Sequence, residues 1–241
     1  MTFQTTFRAN MTSGVPGEVF SDSPRRAIDA LLNSASAAYN IIGATAFTYL
    51  SEVAATGGGI PLASVAAGGT GAFAGILANP KAYFSTGTSG GGTLAPTLTL
   101  PNNINAELVQ MGAMFVTLTA AANVGDLVYY DNTTGALGTT PAIASFTASQ
   151  ATTVVTVTGS PTGNIGVGSV ITTGALVSVV KSLGTGTGGA GTYNVDTSQT
   201  VSSTAMTANS VAPTGKTFVP SAVVHYRNVS GAGLAVIKIT N

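Results

Sequence analysis

The sequence predicts an all-β protein from its composition, its strand-length apolar runs and the residues that separate them. Glycine contributes 31 of the 241 residues, and threonine, serine and valine are also abundant. Short runs of β-branched and apolar residues alternate with clusters of glycine, asparagine and proline, which is the pattern of strands joined by turns. We therefore expect many short strands and little helix.

Charge is unusually scarce in this chain. Only 7% of the residues are charged, 8 basic against 8 acidic, where an ordinary domain carries roughly a quarter. Net charge keeps soluble proteins apart, so a chain with formal net charge zero and mean hydropathy +0.41 should tend to associate. We interpret the protein as a component of an assembly.

The same composition argues against several other classes of protein. No basic stripe is present to neutralise phosphates, so nucleic-acid binding is not expected. No apolar run approaches the roughly 20 residues of a membrane-spanning helix. The chain has no cysteine, so disulfides and thiolate metal sites are excluded.

Eleven segments have the length and composition of strands. They are residues 39–50, 72–77, 82–85, 107–118, 126–130, 154–158, 170–172, 176–181, 192–195, 217–229 and 234–239. Two hairpins are expected between them, one turning at Asn132 and Gly135 and the other at Gly231 and Gly233, because these residues tolerate positive φ.

The segment that follows Asp22 has two interpretations. Asp22 and Ser23 could cap a short helix opened by Pro24, with Ile28, Leu31 and Leu32 on one side. The other interpretation is an extended arm. The sequence is compatible with both the helix and the extended arm.

The chain divides into an N-terminal arm (1–36), a discontinuous β body (37–143 and 209–241) and an inserted module (144–208). The insertion contains only two charged residues, Lys181 and Asp196, and is almost wholly threonine, glycine, valine, serine and alanine. Its valines and Tyr193 suffice for a small core of its own. Its two ends should lie close together, and the module should be removable.

No constellation of catalytic or cofactor-binding residues is present. Gly184, Gly186 and Gly189 match GxGxxG. A dinucleotide site needs a helix after this motif, but the TYNV that follows predicts a strand. The GKT at residues 215–217 lacks the first glycine of a P-loop and precedes a strand containing Pro220. His225 is the only histidine of the chain, and its apolar neighbours predict a partly buried strand residue. We expect no enzymatic activity, cofactor or metal.

Five of the sixteen charges fall within residues 18–29: Glu18, Asp22, Arg25, Arg26 and Asp29. Pro16, Gly17 and Pro24 disfavour regular structure there, and paired arginines bind acidic groups of partners through bidentate contacts. This arm is the candidate contact site, and residues 1–30 should be removable without change in the melting temperature of the body. The alternative is an N-terminal strand that makes internal ion pairs.

The segments VPGEVFSDSPRRA, GAFAGILANPKAYF, VGDLVYYDNTTGAL and GAGLAVIKIT, in this order, resemble the structural cement (capsid decoration) proteins of tailed phages. The resemblance covers residues 14–143 and 209–241. Separately, FTASQATTVVTVTG, IGVGSVI and LGTGTGGAGTYNVDTSQTVSST resemble a glycine- and threonine-rich β module found in phage structural proteins, including tail and fibre components.

The first resemblance implies a β-sandwich or jelly-roll-like body, made in the host cytoplasm, on the outer surface of an icosahedral phage head. It implies that the protein bridges major capsid subunits, forms a dimer or trimer at a symmetry axis and catalyses nothing. The five arm charges are then the expected capsid contacts. The alternative is a fibre- or adhesin-type protein whose module binds a host glycan, but Tyr193 and Phe146 are the only aromatic residues of the insertion.

Overall fold

The structure, a computed structural model, describes residues 14–20, 24–53, 62–79, 99–174, 176–226 and 231–240. Within these ranges the regular elements are strands and one short 3-10 turn (Ala37–Tyr39), so the all-β prediction is confirmed. The strands are β1 (Arg26–Leu32), β2 (Ala46–Val53), β3 (Leu62–Ala67), β4 (Phe73–Leu77), β5 (Asn105–Leu118), β6 (Leu127–Asp131), β7 (Leu137–Thr140), β8 (Ile143–Thr162), β9 (Val170–Thr173), β10 (Leu176–Leu183), β11 (Gly191–Asn209), β12 (Lys216–Tyr226) and β13 (Gly233–Ile239).

Nine strands form one continuous sheet in the order β1-β3-β2-β4-β5-β13-β12-β6-β7. β1 also pairs with β5, so the first five strands of this order close into a ring. β1 runs parallel to β3 and antiparallel to β5. Closure removes the exposed strand edges that open sheets present. The interior of this barrel is filled by Leu32, Phe47, Val65, Leu77 and Leu108.

The other four strands of the sheet build a second core on β5. Met114 and Val116 of β5 pack there with Tyr130, Leu137 and Ile237. Ala46, Ile76 and Val109 join this second cluster, whereas their strand neighbours Phe47, Leu77 and Leu108 belong to the barrel interior. Since successive strand residues face opposite sides, the barrel strands serve both cores. The body is therefore a barrel joined to a sandwich-like layer.

The segment after Pro24 is a strand and not a helix. Ile28, Ala30 and Leu32 alternate toward the barrel interior, and the last two are completely buried. The helical spacing of Ile28, Leu31 and Leu32 does not produce a helix, because β1 is hydrogen-bonded along both edges, to β3 and to β5. Deletion of residues 1–30 would remove most of this barrel strand, so we now expect it to destabilise the body, contrary to the expectation from the sequence.

The first predicted hairpin is confirmed. β6 and β7 pair antiparallel from Leu127↔Thr140 to Tyr130↔Leu137, and Gly135 has a φ of +75°. β12 and β13 also pair antiparallel as predicted, although residues 227–230 of their connection lie outside the described residues.

Other boundaries differ from the predictions. The predicted strand at 39–50 starts only at Ala46, after the 3-10 turn, and β3 was not predicted. The predicted strand at 82–85 lies outside the described residues.

A second, four-stranded sheet has the order β10-β9-β11-β8 and its own hydrophobic cluster, which includes Phe146, Tyr193 and Met206. β8 and β11 are 20 and 19 residues long, far longer than the predicted 154–158 and 192–195. The two strands form one bent ribbon, because their register shifts between Asn194 and Gln199 and Thr152 has a φ of +55°. Ala144 and Ala208 are register partners in this ribbon.

The GxGxxG glycines form a loop around Tyr193 and not a nucleotide site. The N–H of Gly188 donates to the Tyr193 hydroxyl (3.1 Å), which donates to the carbonyl of Gly189 (2.6 Å). A Cβ on Gly186 would lie 2.4 Å from the tyrosine ring. Glycine is therefore required there by the close approach of the ring, and strand β11 follows, as predicted.

The lysine of the GKT sequence has a structural partner. Lys216 opens β12 opposite Asp131 at the end of β6, and its ammonium donates to the Asp131 carboxylate. The same carboxylate accepts the N–H groups of Thr133 and Thr134, each at 2.8 Å. The pKa of Asp131 is lowered from 3.8 to about 2, chiefly by Lys216 and to a lesser extent by these hydrogen bonds.

Leu32→Ala tests whether β1 belongs to the core. Removing this fully buried side chain from the barrel should lower the free energy of unfolding by about 2–5 kcal/mol, measured by chemical denaturation. Asp29→Ala on the same strand is the control, because Asp29 is exposed and its loss should not lower the free energy of unfolding. Equal effects of the two substitutions would contradict a core role for β1.

Asp131→Asn tests the ion pair with Lys216. Because folding lowers the pKa of Asp131 to about 2, its contribution is fully present above about pH 3.8 and is lost as the pH falls through 2. The variant should be less stable than the parent by about 1–2 kcal/mol at pH 7, and most of this difference should be lost as the pH falls from about 3.8 to 2. Denaturation curves across this range measure it, and a difference independent of pH would show another cause.

We propose that residues 144–208 form a separable module, as the separate core and adjacent ends suggest. Replacing residues 145–207 by a short Gly-Ser join should leave a folded body, because paired antiparallel residues lie only about 5 Å apart. Circular dichroism and thermal melting of the shortened protein measure this. An unfolded or insoluble product would place the domain boundary elsewhere.

Candidate functional site

A groove of about 610 Å³ runs between the N-terminal segment and the paired strands β1 and β5. Among the described residues that line it, four are charged: Glu18, Arg25, Asp29 and Glu107. The other described lining residues are small, polar or aliphatic: Gly17, Val19, Ala78, Asn79, Asn105 and Ala106. With three carboxylates against one guanidinium, this described part of the groove is acidic.

A tight turn holds one wall of the groove in place. The N–H of Glu18 donates to the carbonyl of Val15 (3.1 Å), and Pro16-Gly17 with a φ of +86° at Gly17 has the features of a type II turn. The carbonyl of Gly17 accepts the N–H of Asn79 at 2.9 Å. A Cβ on Gly17 would lie 2.7 Å from that nitrogen, so the close contact requires glycine.

Beyond this turn, the chain runs antiparallel along β5. The N–H of Phe115 donates to the carbonyl of Glu18 (2.8 Å), and that of Phe20 donates to the carbonyl of Ala113 (2.7 Å). Val19 forms an isolated bridge with Met114 and packs on the second core. Glu18 is thereby fixed at the groove, on backbone bonded directly to the body.

Two carboxylates face each other across the β1–β5 pair. Asp29 and Glu107 are register partners, and like charges directly opposite each other destabilise a sheet by roughly 0.2–1 kcal/mol. Arg25 relieves this partly, since its guanidinium lies 3.7 Å from the Glu107 carboxylate. The side chains of Arg25 and Glu107 are 56% and 36% exposed, so this ion pair is weak. A cation entering the groove would gain from both carboxylates.

The two adjacent arginines point in different directions. Successive residues of an extended segment face opposite sides, so Arg25 lines the groove and Arg26 lies with Phe73, Gln110 and Pro220 elsewhere on the surface. The two arginines therefore do not bind one acidic group together.

An aromatic cluster adjoins the groove at Phe20. The ring of Phe20 lies 5.4 Å from that of Phe115 and 5.2 Å from that of Tyr226, whose ring is 4.5 Å from His225. Val236 is buried beneath them, in register between Phe115 and Tyr226. His225 is thus a strand residue, as predicted, but it is exposed, and its contacts are with aromatic rings.

The structure brings together three of the five predicted contact residues: Glu18, Arg25 and Asp29. Arg26 lies apart from them, and Asp22 lies outside the described residues. Glu107 was missed, because only the pairing of β1 with β5 brings it to residues so distant in sequence.

Within the described ranges, no group of three or more histidine, cysteine, aspartate or glutamate side chains is arranged to hold a metal ion. Nor do these ranges contain a helix with the length and hydrophobicity that a membrane crossing requires.

Comparison with protein families yields a match over more than half of the chain. Residues 3–169 match the family described as Structural cement protein (E217 gp24/Pam3 gp6). The match includes every described residue that lines the groove and ends in the loop between β8 and β9. It gives no support to the fibre- or adhesin-type alternative. No curated protein matches the chain.

Proposed function

We propose a specific role for this chain, which belongs to the phage structural cement protein family and is therefore a capsid-stabilising structural component of the virion. It binds the outer surface of the icosahedral head and bridges neighbouring major capsid subunits. The family match carries this proposal, because it extends over 167 residues, from 3 to 169. The role is structural and requires no catalysis.

We place the capsid contact in the acidic groove. Its described lining residues all fall within the matched part of the chain. The opposed carboxylates of Asp29 and Glu107 carry a cost in the free protein that a cationic group of the capsid would remove. The partner that fits is therefore a lysine or arginine side chain on the capsid surface.

Arg26 supplies a second contact of opposite sign. It is exposed, and its backbone is paired within β1, so the position of this residue relative to the groove is set by the barrel. An acidic group on the same or a neighbouring capsid subunit fits it through bidentate hydrogen bonds. Two contacts of opposite sign determine orientation on the shell more than they add affinity.

Each copy needs only a modest interface. A shell presents many equivalent sites, and a protein that touches two subunits at once gains from the effective concentration of the second contact. An interface of about 800 Å² per partner is ordinary for a specific complex. The near-neutral body then adds no long-range repulsion between neighbouring copies.

Asp29→Asn tests the groove as the capsid contact. Loss of this carboxylate should weaken binding to particles that lack the protein about tenfold or more, as removal of one partner of an interfacial charge pair does. Co-sedimentation with such particles measures the affinity. Binding by the parent protein should also weaken with added salt.

Thr156→Lys is the matched control. It changes the net charge by the same single unit at an exposed position outside the groove, and it should bind normally. Equal binding by both variants would remove the groove from the contact, and electron micrographs of decorated particles would reveal whether the protein lies outside the shell.

A further inference from the structure

Arg25 is the only positively charged residue among the described residues that line the acidic groove. Its guanidinium lies 3.7 Å from one oxygen of the Glu107 carboxylate, which is longer than a hydrogen bond. More than half of the arginine side chain, 56%, is exposed to solvent. The contact is therefore a weak attraction that is readily exchanged for another one.

The position of Arg25 along the chain explains why this contact is weak. Asp29, the register partner of Glu107, follows Arg25 by four residues, which corresponds to about 13 Å of extended chain. The guanidinium therefore reaches Glu107 only when both side chains extend towards each other. Holding two long side chains in one such geometry costs conformational entropy.

A glycine on β5 fixes the backbone of Arg25. Gly112 has a φ of +129°, and a Cβ on it would lie 3.3 Å from the Cβ of Arg25 and 3.5 Å from the carbonyl oxygen of Pro24. Because glycine has no side chain, the residues before β1 can lie close against β5. The base of the arginine side chain is thus held in place, whereas its charged end is exposed.

The guanidinium contacts only one of the two opposed carboxylates. Within the described part of the chain, Asp29 has no ion-pair partner, although its backbone is paired directly with that of Glu107. A cation placed between the two carboxylates would interact with both and would exceed the single long contact of Arg25. The like charge of the guanidinium would oppose the entry of that cation.

We propose that Arg25 is an internal placeholder for the cationic side chain of the capsid. In the free protein its guanidinium neutralises part of the groove, and in the complex the capsid lysine or arginine displaces it from Glu107. Arg25 thus lowers the affinity of the groove for a single cation and favours partners that bring further contacts. The inference rests on the proposed capsid contact, but it makes Arg25 a competitor of the capsid group and not itself a contact.

Arg25→Met separates these two roles by the direction of its effect. The substitution keeps a long unbranched side chain and removes the charge. Binding to particles that lack the protein should become about fivefold tighter, because the competing cation is gone. A direct contact between Arg25 and the capsid would instead make the variant bind more weakly. Co-sedimentation measures the change.

Lys181→Met is the matched control. It removes the same single charge at an exposed position of β10, outside the groove, and it should bind particles as the parent does. Arg26→Met removes the neighbouring arginine, and it should weaken binding, since Arg26 is the proposed partner of an acidic capsid group. Adjacent arginines are thus expected to have opposite effects.

A titration without particles tests the competition in the free protein. A tetralysine peptide is the probe, and the NMR signals of the Asp29 and Glu107 backbone amides report its binding to the groove. The Kd of the parent should be on the order of millimolar. It should be about fivefold lower for Arg25→Met and unchanged for Lys181→Met.

Arg25→Met that binds particles no more tightly than the parent would overturn the displacement, and so would tetralysine binding that is equal in the two proteins. Loss of co-sedimentation by the parent itself would count against the proposed capsid binding instead. The peptide titration still decides the role of Arg25 in that case, so the two failures are distinguishable.

Discussion

The pairing of β1 with β5 is the contact on which the rest of the body depends. It closes five strands into a barrel and buries Ala30 and Leu32. Before β1, the N-terminal segment already runs along the other half of β5. Met114 and Val116 in that half of β5 pack in the second core. A single long strand thus joins both cores and the N-terminal segment. Because the strand is paired along both edges, a change in the N-terminal residues is transmitted to the barrel and not confined to a loose terminus.

The same pairing creates the acidic groove. Asp29 and Glu107 come face to face only because the register of β1 on β5 places them there. A fold that needed only stability would avoid this opposition. In the proposed capsid contact the opposition would serve a purpose, since strand pairing already holds the backbone of both acidic residues side by side for a cation. The barrel therefore preorganises the backbone of the proposed contact, whereas a flexible arm would have to be ordered first.

The distribution of charge separates two parts of the chain. Among the described residues the groove gathers four charged side chains, whereas Lys181 and Asp196 are the only charged residues of segment 144–208. A charged groove suits recognition of a different protein through opposite charge. The threonines that dominate the four-stranded sheet also protect its edges. Thr158 and Thr162 donate hydroxyl hydrogen bonds to the carbonyls of Thr147 and Ser145, which otherwise would be open to pairing with other chains.

The sequence by itself determined the all-β class, the hairpin at Asn132 and Gly135, and the scarcity of charge, because these depend on local preferences and on composition. It also singled out Glu18, Arg25 and Asp29, which the structure brings together in one groove. Only the tertiary structure decided that residues 26–32 are a barrel strand, that Arg25 and Arg26 face different surfaces, and that Glu107 completes the groove. The reason is physical: pairing partners far apart in sequence determine strand register, and register decides which side chains meet.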